Sequence, residues 1–264
     1  MAILTLGPEG SFSHEATLKM HPHKKLVFAG TIDELFFRLA DKEMSEGVIP
    51  IEIGDQFIED SIAHLMKYDF SITRKAILRL RYHLVAKDKQ IDRLLGSALG
   101  FEGCRAKIHE LCGGAKKITT PTMVHAAIQY QAHPQKTGAI ISPFAANRYK
   151  LPIFSENIED DPENFATFFA IGKAPPKKKE KNGTAFLIFS DPSITTTKEI
   201  ADQAHSRKIP LIKLKNLVLQ EGHTPLYFME VEGHIEERLV RSLFEALSEK
   251  YLIKHLGSYT NFEK

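Results

Sequence analysis

The sequence predicts an α/β protein, and three observations carry that reading. Short apolar runs alternate with stretches of helical spacing from Ala2 to Arg148, the pattern of strands joined by helices. A basic, proline-bearing run, Lys173-Ala174-Pro175-Pro176-Lys177-Lys178-Lys179-Glu180-Lys181-Asn182, breaks that pattern and cannot be packed core. From Gly183 onward the order becomes βαββαβ, that of a ferredoxin-like unit. Two folded units, 1–172 and 183–264, joined by a solvated linker over 173–182, are therefore expected.

The elements follow in order. Ala2 to Leu6 reads as a short buried strand, and Gly7-Pro8-Glu9-Gly10-Ser11-Phe12-Ser13 as a loop feeding a helix from His14 to Met20. A glycine-bounded loop between strand and helix offers backbone N–H groups to an anion. His14 reads as a surface helix residue. Thr31 and Glu34 have the spacing of a capping box, with Leu35, Phe36, Leu39 and Ala40 behind them. Gly47 to Glu52 is a strand, and Ile62, Leu65 and Met66 are the apolar face of the next helix. Phe70 to Val85 carries Phe70, Ile72, Ile77, Leu80 and Leu84 in broken alternation, which reads as paired strands. Thr120-Pro121 reads as an N-cap with proline at the first helical position. Gly138 to Ile141 is a strand, and Ser142-Pro143 caps a helix from Phe144 to Arg148. Alternation of this kind implies largely parallel sheets.

Asp160-Asp161-Pro162-Glu163-Asn164 is an acidic turn, and Phe165 to Gly172 after it is a buried strand ending on glycine. Past the linker, Thr184 to Ser190 is a strand. Thr196 and Glu199 form a second capping box, with Ile200 and Ala204 on the helix they open. Ile209 to Val218 and Leu226 to Val231 are strands. Ile235, Leu239, Leu243 and Leu247 recur at helical spacing, and Tyr251 to Ser258 closes the set.

Composition narrows the function classes. The formal net charge of +2 is too small to indicate a nucleic-acid partner. Cys104 and Cys112 lack metal-ligand spacing and point to free thiols in a reducing compartment. The first residues show no basic leader, and no apolar run approaches the ~20 residues of a membrane span. A cytoplasmic protein without membrane or nucleic-acid partners is expected. His125 reads as a packing or surface histidine, His234 as a turn residue, and Asp160-Asp161 as a turn former rather than a metal site.

Several of these stretches resemble the prephenate dehydratases. Asp160, Asp161, Pro162, Asn164, Phe168, Ile171 and Gly172 fall in step with that family's closing motif, Asp-Asp-Pro-any-Asn-any-Thr-Arg-Phe before a strand and a glycine. Leu6 to His14 matches its opening wording almost completely. Pro50, Ile51 and Glu52 match its Val-Pro-Ile-Glu-Asn-Ser, but Ile53-Gly54 replaces Asn-Ser. Thr122 stands for a family serine. Of the family's Ser-His-Pro-Gln and Gln-Cys only Cys104 remains. Glu232 to Ile235 and Leu256 to Tyr259 resemble the ACT regulatory domain behind many of these enzymes. Its two effector motifs are replaced, by Thr195 to Lys198 and by Lys215 to Val218, so weak or absent phenylalanine binding is expected.

The resemblance implies a catalytic unit of two lobes, like those of periplasmic binding proteins, followed by the ACT-like domain over 183–264. Lobe one would be about 1–80 plus 159–172 and lobe two about 81–158, with a ligand cleft between them. It also implies a cofactor-independent, metal-free lyase that turns prephenate into phenylpyruvate on the route to phenylalanine, working as a homodimer or dimer of dimers. Gly10, Ser11, Glu52, Thr122, Asn164 and Phe168 become candidate substrate-binding residues, and Ser13 a further candidate. The family's catalytic Thr and its Arg fall on Ala166 and Thr167 in the gapless register, which Phe168, Ile171 and Gly172 support. A one-residue bulge before Thr167 would instead make Thr167 the catalytic hydroxyl. Alternatives are a non-catalytic or regulatory ligand-binding relative, and a prephenate decarboxylase that does not aromatise.

Overall fold

The computed structural model describes residues 2–174, 178, 182–190, 196–217 and 226–262. Most of the basic run, together with Thr195 and Val218 of the two replaced effector motifs, lies outside them. The first part of the chain runs β1 (Ile3–Leu6), α1 (Phe12–Met20), β2 (Leu26–Ala29), α2 (Ile32–Ala40), β3 (Glu46–Ile53), β4 (Gln56–Phe57), α3 (Glu59–Lys67) and β5 (Ser71–Arg79). The middle runs β6 (His83–Ala86), β7 (Arg93–Gly96), α4 (Ala98–Gly103), α5 (Arg105–Cys112), β8 (Lys116–Thr119), α6 (Met123–Ala132), β9 (Thr137–Ile141), α7 (Pro143–Arg148) and β10 (Ile153–Ser155). β11 (Phe165–Gly172) then precedes β12 (Asn182–Phe189), α8 (Thr197–Ser206), β13 (Leu211–Leu217), β14 (Leu226–Glu232), α9 (Arg238–Ser248) and β15 (Leu252–Phe262).

These strands form two sheets. One has the order β13-β14-β12-β15-β5-β11-β3-β1-β2, with β4 on β3; the other is β10-β6-β9-β7-β8. The α/β class stands, but the sheets are mixed rather than largely parallel. β1 runs parallel to β2 and β3, while β11 is antiparallel to both β3 and β5. β12 to β15 are antiparallel neighbours in the ferredoxin-like order. The second unit is more than tethered: the end of β15 hydrogen-bonds alongside β5, joining it to the first sheet.

Phe70 to Val85 does not form a pair of strands. β5 and β6 lie in different sheets, and the chain crosses between them at Leu80 to Tyr82. The crossing is stitched to the returning segment. Tyr82 N donates to Glu159 Oε2 at 3.0 Å, Ile158 N to the Tyr82 carbonyl at 2.9 Å, and Leu80 N to the Asn164 carbonyl at 2.9 Å. Arg81 pairs with the nearly buried Glu159 at 2.5 Å. Backbone groups that would be orphaned between two sheets are satisfied by the other crossing strand.

Local caps explain most helix starts. Ser11, Ser142 and Thr196 each accept a backbone N–H three residues on, as N-caps do, at a gain of about 1 kcal/mol apiece. Thr196 and Glu199 complete the reciprocal box. Thr31 caps α2, but Glu34 takes its return bond from Gly30 N, one residue earlier. The cap of α6 is Thr122, not Thr120: Thr120 Oγ1 instead donates to the Thr122 carbonyl, and helix starts after both. On α9 the buried stripe is Val240, Leu243 and Leu247. Leu239 faces solvent and Ile235 precedes the helix.

One apolar cluster reaches from the first sheet to the second. It contains Ile3, Val48, Ala76, Leu78, Ala166, Phe168 and Ala170 from the first, and Leu84, Leu94 and Ile140 from the second. A different cluster holds Ile49, Ile51, Phe169 and Ile171 together with Leu187, Phe228 and Tyr259 of the C-terminal unit. The two clusters lie on opposite faces of β11, because side chains alternate along a strand.

Candidate active site

The loop after β1 begins the site. Gly7-Pro8 is cis, and Gly10 has φ +97, a left-handed conformation that glycine adopts freely. A Cβ at Gly10 would sit 2.9 Å from Tyr149 and 3.4 Å from Val124. Gly10 is therefore glycine on two counts, conformation and close approach. The same contacts show that this loop of the first sheet touches the start of α6 and the end of α7 beside the second sheet. Tyr149 Oη donates to the Glu9 carbonyl at 2.9 Å, and Arg148 pairs with the Glu9 carboxylate.

His14 is not a surface residue. It is buried, edge-on to Phe28 at 5.2 Å and to Phe144 of α7 at 5.1 Å between ring centroids. Its Nδ1 accepts from Gly10 N at 2.9 Å, which fixes the loop and requires an unprotonated Nδ1. Burial, and then the Arg148 charge, hold its pKa below the ordinary histidine value. Helical periodicity could not reveal this, since the burial comes from an element far along the chain.

Two helix N-termini thus meet. Ser11 caps α1 and Thr122 caps α6, with Gly10 against Val124 between them. The first-turn amides of Phe12 and Ser13, and of Met123 and Val124, have no intrahelical acceptor. Both helices turn their positive ends to the same place, an arrangement suited to carboxylates. Thr122 Oγ1 also bonds to Nδ1 of the exposed His125 at 2.9 Å. Phe12 and Met123 pack in the same cluster as Ala166 and Phe168. The helix α1 packs on β11, whose even-numbered face belongs to that cluster.

β11 pairs residue for residue with β5 from Phe165 to Ala170, so no bulge in it carries Thr167 to that face. Ala166 is 1% exposed and packed in the inter-sheet cluster. Thr167 lies opposite, with Phe169 and Ile171. The irregularity belongs to β3. Thr167 faces Glu52 and Phe168 faces Pro50, so Ile51 is an extra residue. Such a bulge re-aims the side chains beyond it. Glu52 is turned to the Thr167 face, where it is nearly buried and pairs with Lys213 of the C-terminal unit.

The candidate residues therefore separate into two groups. Gly10, Ser11, Thr122 and Phe168, with Ala166, belong to the place between the sheets. Glu52, Asn164 and Thr167 line a cavity of about 420 Å³ on the other face. Asp160 accepts from Ala106 N at the start of α5, at 3.1 Å, and Asp161 from Glu163 N at 2.8 Å, the work of turn formers. Ser13 is buried, its carbonyl accepting from Thr17 and Thr5. Cys104 is buried and Cys112 partly so, both as free thiols; burial raises both pKa values. His234 is buried in the turn before α9, its Nδ1 accepting from Glu236 N at 3.2 Å. Among the described residues, no cluster of His, Cys, Asp or Glu could hold a metal, and no helix is long and apolar enough to cross a membrane.

Comparison with known proteins fits this arrangement. The family model for prephenate dehydratase matches residues 3–176. A bifunctional chorismate mutase/prephenate dehydratase from Stutzerimonas stutzeri is 26% identical over 269 residues, covering 98% of this chain and 73% of that protein. The crystal structure of an Arthrobacter aurescens prephenate dehydratase in complex with L-Phe superposes with a TM-score of 0.85 at 19% identity, covering 98% of this chain and 90% of that one. A quorum-quenching acylase superposes with a TM-score of 0.81, also at 19% identity, covering 99% and 98%. The family match spans the loop, the second sheet and the strands β1 to β5 and β11 of the first, and this chain belongs to the prephenate dehydratase family.

Proposed function

We propose that the chain binds a prephenate-type dicarboxylate between its two sheets and dehydrates it slowly. The observation that carries this reading is the meeting of the α1 and α6 N-termini beside the apolar cluster that contains Ala166. Two clusters of unpaired amides suit two carboxylates, while β11 offers no proton donor on that face. The ring body of such a ligand suits the apolar floor of Phe12, Met123, Ala166 and Phe168.

The chemistry shows what is lost. Decarboxylative dehydration breaks the bond to one carboxylate, which departs as carbon dioxide. Its electron pair moves into the ring and expels the ring hydroxyl, which needs a proton to leave as water. A positioned acid contributes ~10²–10⁴ in rate, or roughly 3–5 kcal/mol of barrier. Positioning of the carboxylates is a separate contribution and survives its loss. With a methyl at residue 166, the leaving group takes its proton from water. The acylase of the same fold is a reminder that the side chains, and not the fold, decide the reaction.

The cytoplasmic setting, the two-lobe boundaries near 80 and 159, the regulatory role of the C-terminal unit and a homodimeric assembly complete the proposal, all resting on the family resemblance. Titration calorimetry with prephenate tests the binding half of it. Saturable binding that is lost in Gly10→Val, whose side chain would enter the loop contact with Tyr149 and Val124, is the expected result. Absence of saturable binding in the native chain would refute the proposal.

A further inference from the structure

The face of β11 turned away from the inter-sheet site walls the 420 Å³ cavity, a volume typical of small-molecule pockets. Four carboxylates border it, those of Glu52, Asp55, Asp161 and Glu163, against the single ammonium of Lys213. Some of that charge is spoken for: Lys213 pairs with Glu52 Oε2, and Arg79 with Glu163 at 3.2 Å. Two buried acceptors are not. Glu52 Oε1 and Asn164 Oδ1 have no hydrogen-bond partner, although Glu52 is only 4% exposed. Buried acceptors in folded proteins are normally paired, and an unpaired one is a standing cost. The terminal torsions of Glu and Asn side chains are broad and soft, so a small rotation turns either oxygen to a donor in the cavity. A metal is not that donor, since no metal-holding cluster occurs among the described residues. Ile77 and Phe165 give the cavity an apolar wall.

We propose that this cavity binds a small primary ammonium compound with an apolar body, an alkyl- or arylamine. Its N–H groups pair with Glu52 Oε1 and Asn164 Oδ1, and its body lies along Ile77 and Phe165. Against Lys213 in the wall and Arg79 and Lys215 beside it, the four carboxylates leave a surplus of one negative charge, and all three cations are engaged, so a ligand that carries its own carboxylate is disfavoured. The site therefore selects amines over amino acids. It is formed within one chain, at the seam between β3–β11 and β13, and is separate from the proposed dicarboxylate site.

Titration calorimetry of the full chain with phenethylamine, and in parallel with phenylalanine, tests this without reference to turnover or prephenate. Saturable phenethylamine binding in the sub-millimolar range is expected, with phenylalanine at least ~10-fold weaker. Glu52→Gln removes the charge, and Ile77→Trp fills the cavity while leaving the Glu52–Lys213 pair intact. Each variant is expected to weaken phenethylamine at least ~10-fold; should the first fail to fold, the second decides. No saturable heat with phenethylamine, equal binding in the folded variants, or phenylalanine binding the more tightly would overturn the proposal.

Discussion

The two faces of β11 differ in what they ask of the sequence. On one, Ala166, Phe168 and Ala170 are sealed into an apolar cluster shared by both sheets. On the other, Phe169 and Ile171 pack on the C-terminal unit, but Thr167 opens on a polar cavity beside Glu52 and Lys213. The strand has period two, so a side chain's role is set by its parity as much as by its type. Ala166 and Thr167, one position apart, therefore lie on opposite faces of the sheet. Ala166 is accordingly part of the packing between the sheets, whatever chemistry the site performs.

The contrast can be broken from either side. The largest effects are expected at two buried positions, and the first is the pair on the Thr167 side, Lys75 with Glu230 at 2.5 Å, where Tyr259 also donates to Glu230. Lys75→Met strands a buried carboxylate and should lower stability by about 3–5 kcal/mol, measured by urea denaturation. Replacing both, Lys75→Met with Glu230→Leu, should recover most of that loss, since the desolvation cost of each charge goes with it. On the apolar face Phe168→Ala should cost about 3–5 kcal/mol, as a fully buried aromatic truncation does. Thr167→Val, one residue away, should change stability by less than about 0.5 kcal/mol. Equal costs at 167 and 168 would mean that the two faces are not distinct.

A smaller effect is expected from pH. Burial, then the neighbouring His234, pushes the His255 pKa down to about 4. The folded state thus holds fewer protons than the unfolded chain, whose histidine titrates near 6.5. Stability is fully present above pH 6.5 and is lost as pH falls from there through about 4. The loss should amount to roughly 2–3 kcal/mol after allowance for solvent screening. His14 has the same sign on the inter-sheet side, where protonation of Nδ1 would also break the bond from Gly10 N. Between pH 7 and 4 the native chain should lose more stability than His255→Phe, by roughly the 2–3 kcal/mol above, if His255 carries the effect.

What could be read in the sequence was local. The Gly10 loop, the Ser142 cap and the Thr196–Glu199 box depend on residues within a few positions of one another, and all appear in the structure. What could not be read was set by distant partners. The bulge at Ile51 that turns Glu52 away from the inter-sheet site exists because β3 must register with β11, over a hundred residues on. His14 is buried by Phe144, and β15, at the far end of the chain, pairs with β5 in the middle of the first unit. The Thr120-Pro121 reading failed differently: two threonines two residues apart both suit a cap, and the geometry of the preceding strand β8 selects Thr122.

The most direct test of the account is phenylpyruvate formation from prephenate by the native chain and by Ala166→Thr. Native turnover should lie far below the ~10 s⁻¹ of a typical enzyme, and Ala166→Thr should raise it about 10–100-fold as a hydroxyl is placed on the inter-sheet face. The gain should stop short of the full general-acid contribution, because a side chain added to a packed site brings strain. Native turnover near ~10 s⁻¹ that Thr167→Val abolishes and Ala166→Thr does not raise would contradict it, and would place the working hydroxyl on the face that opens on the second cavity.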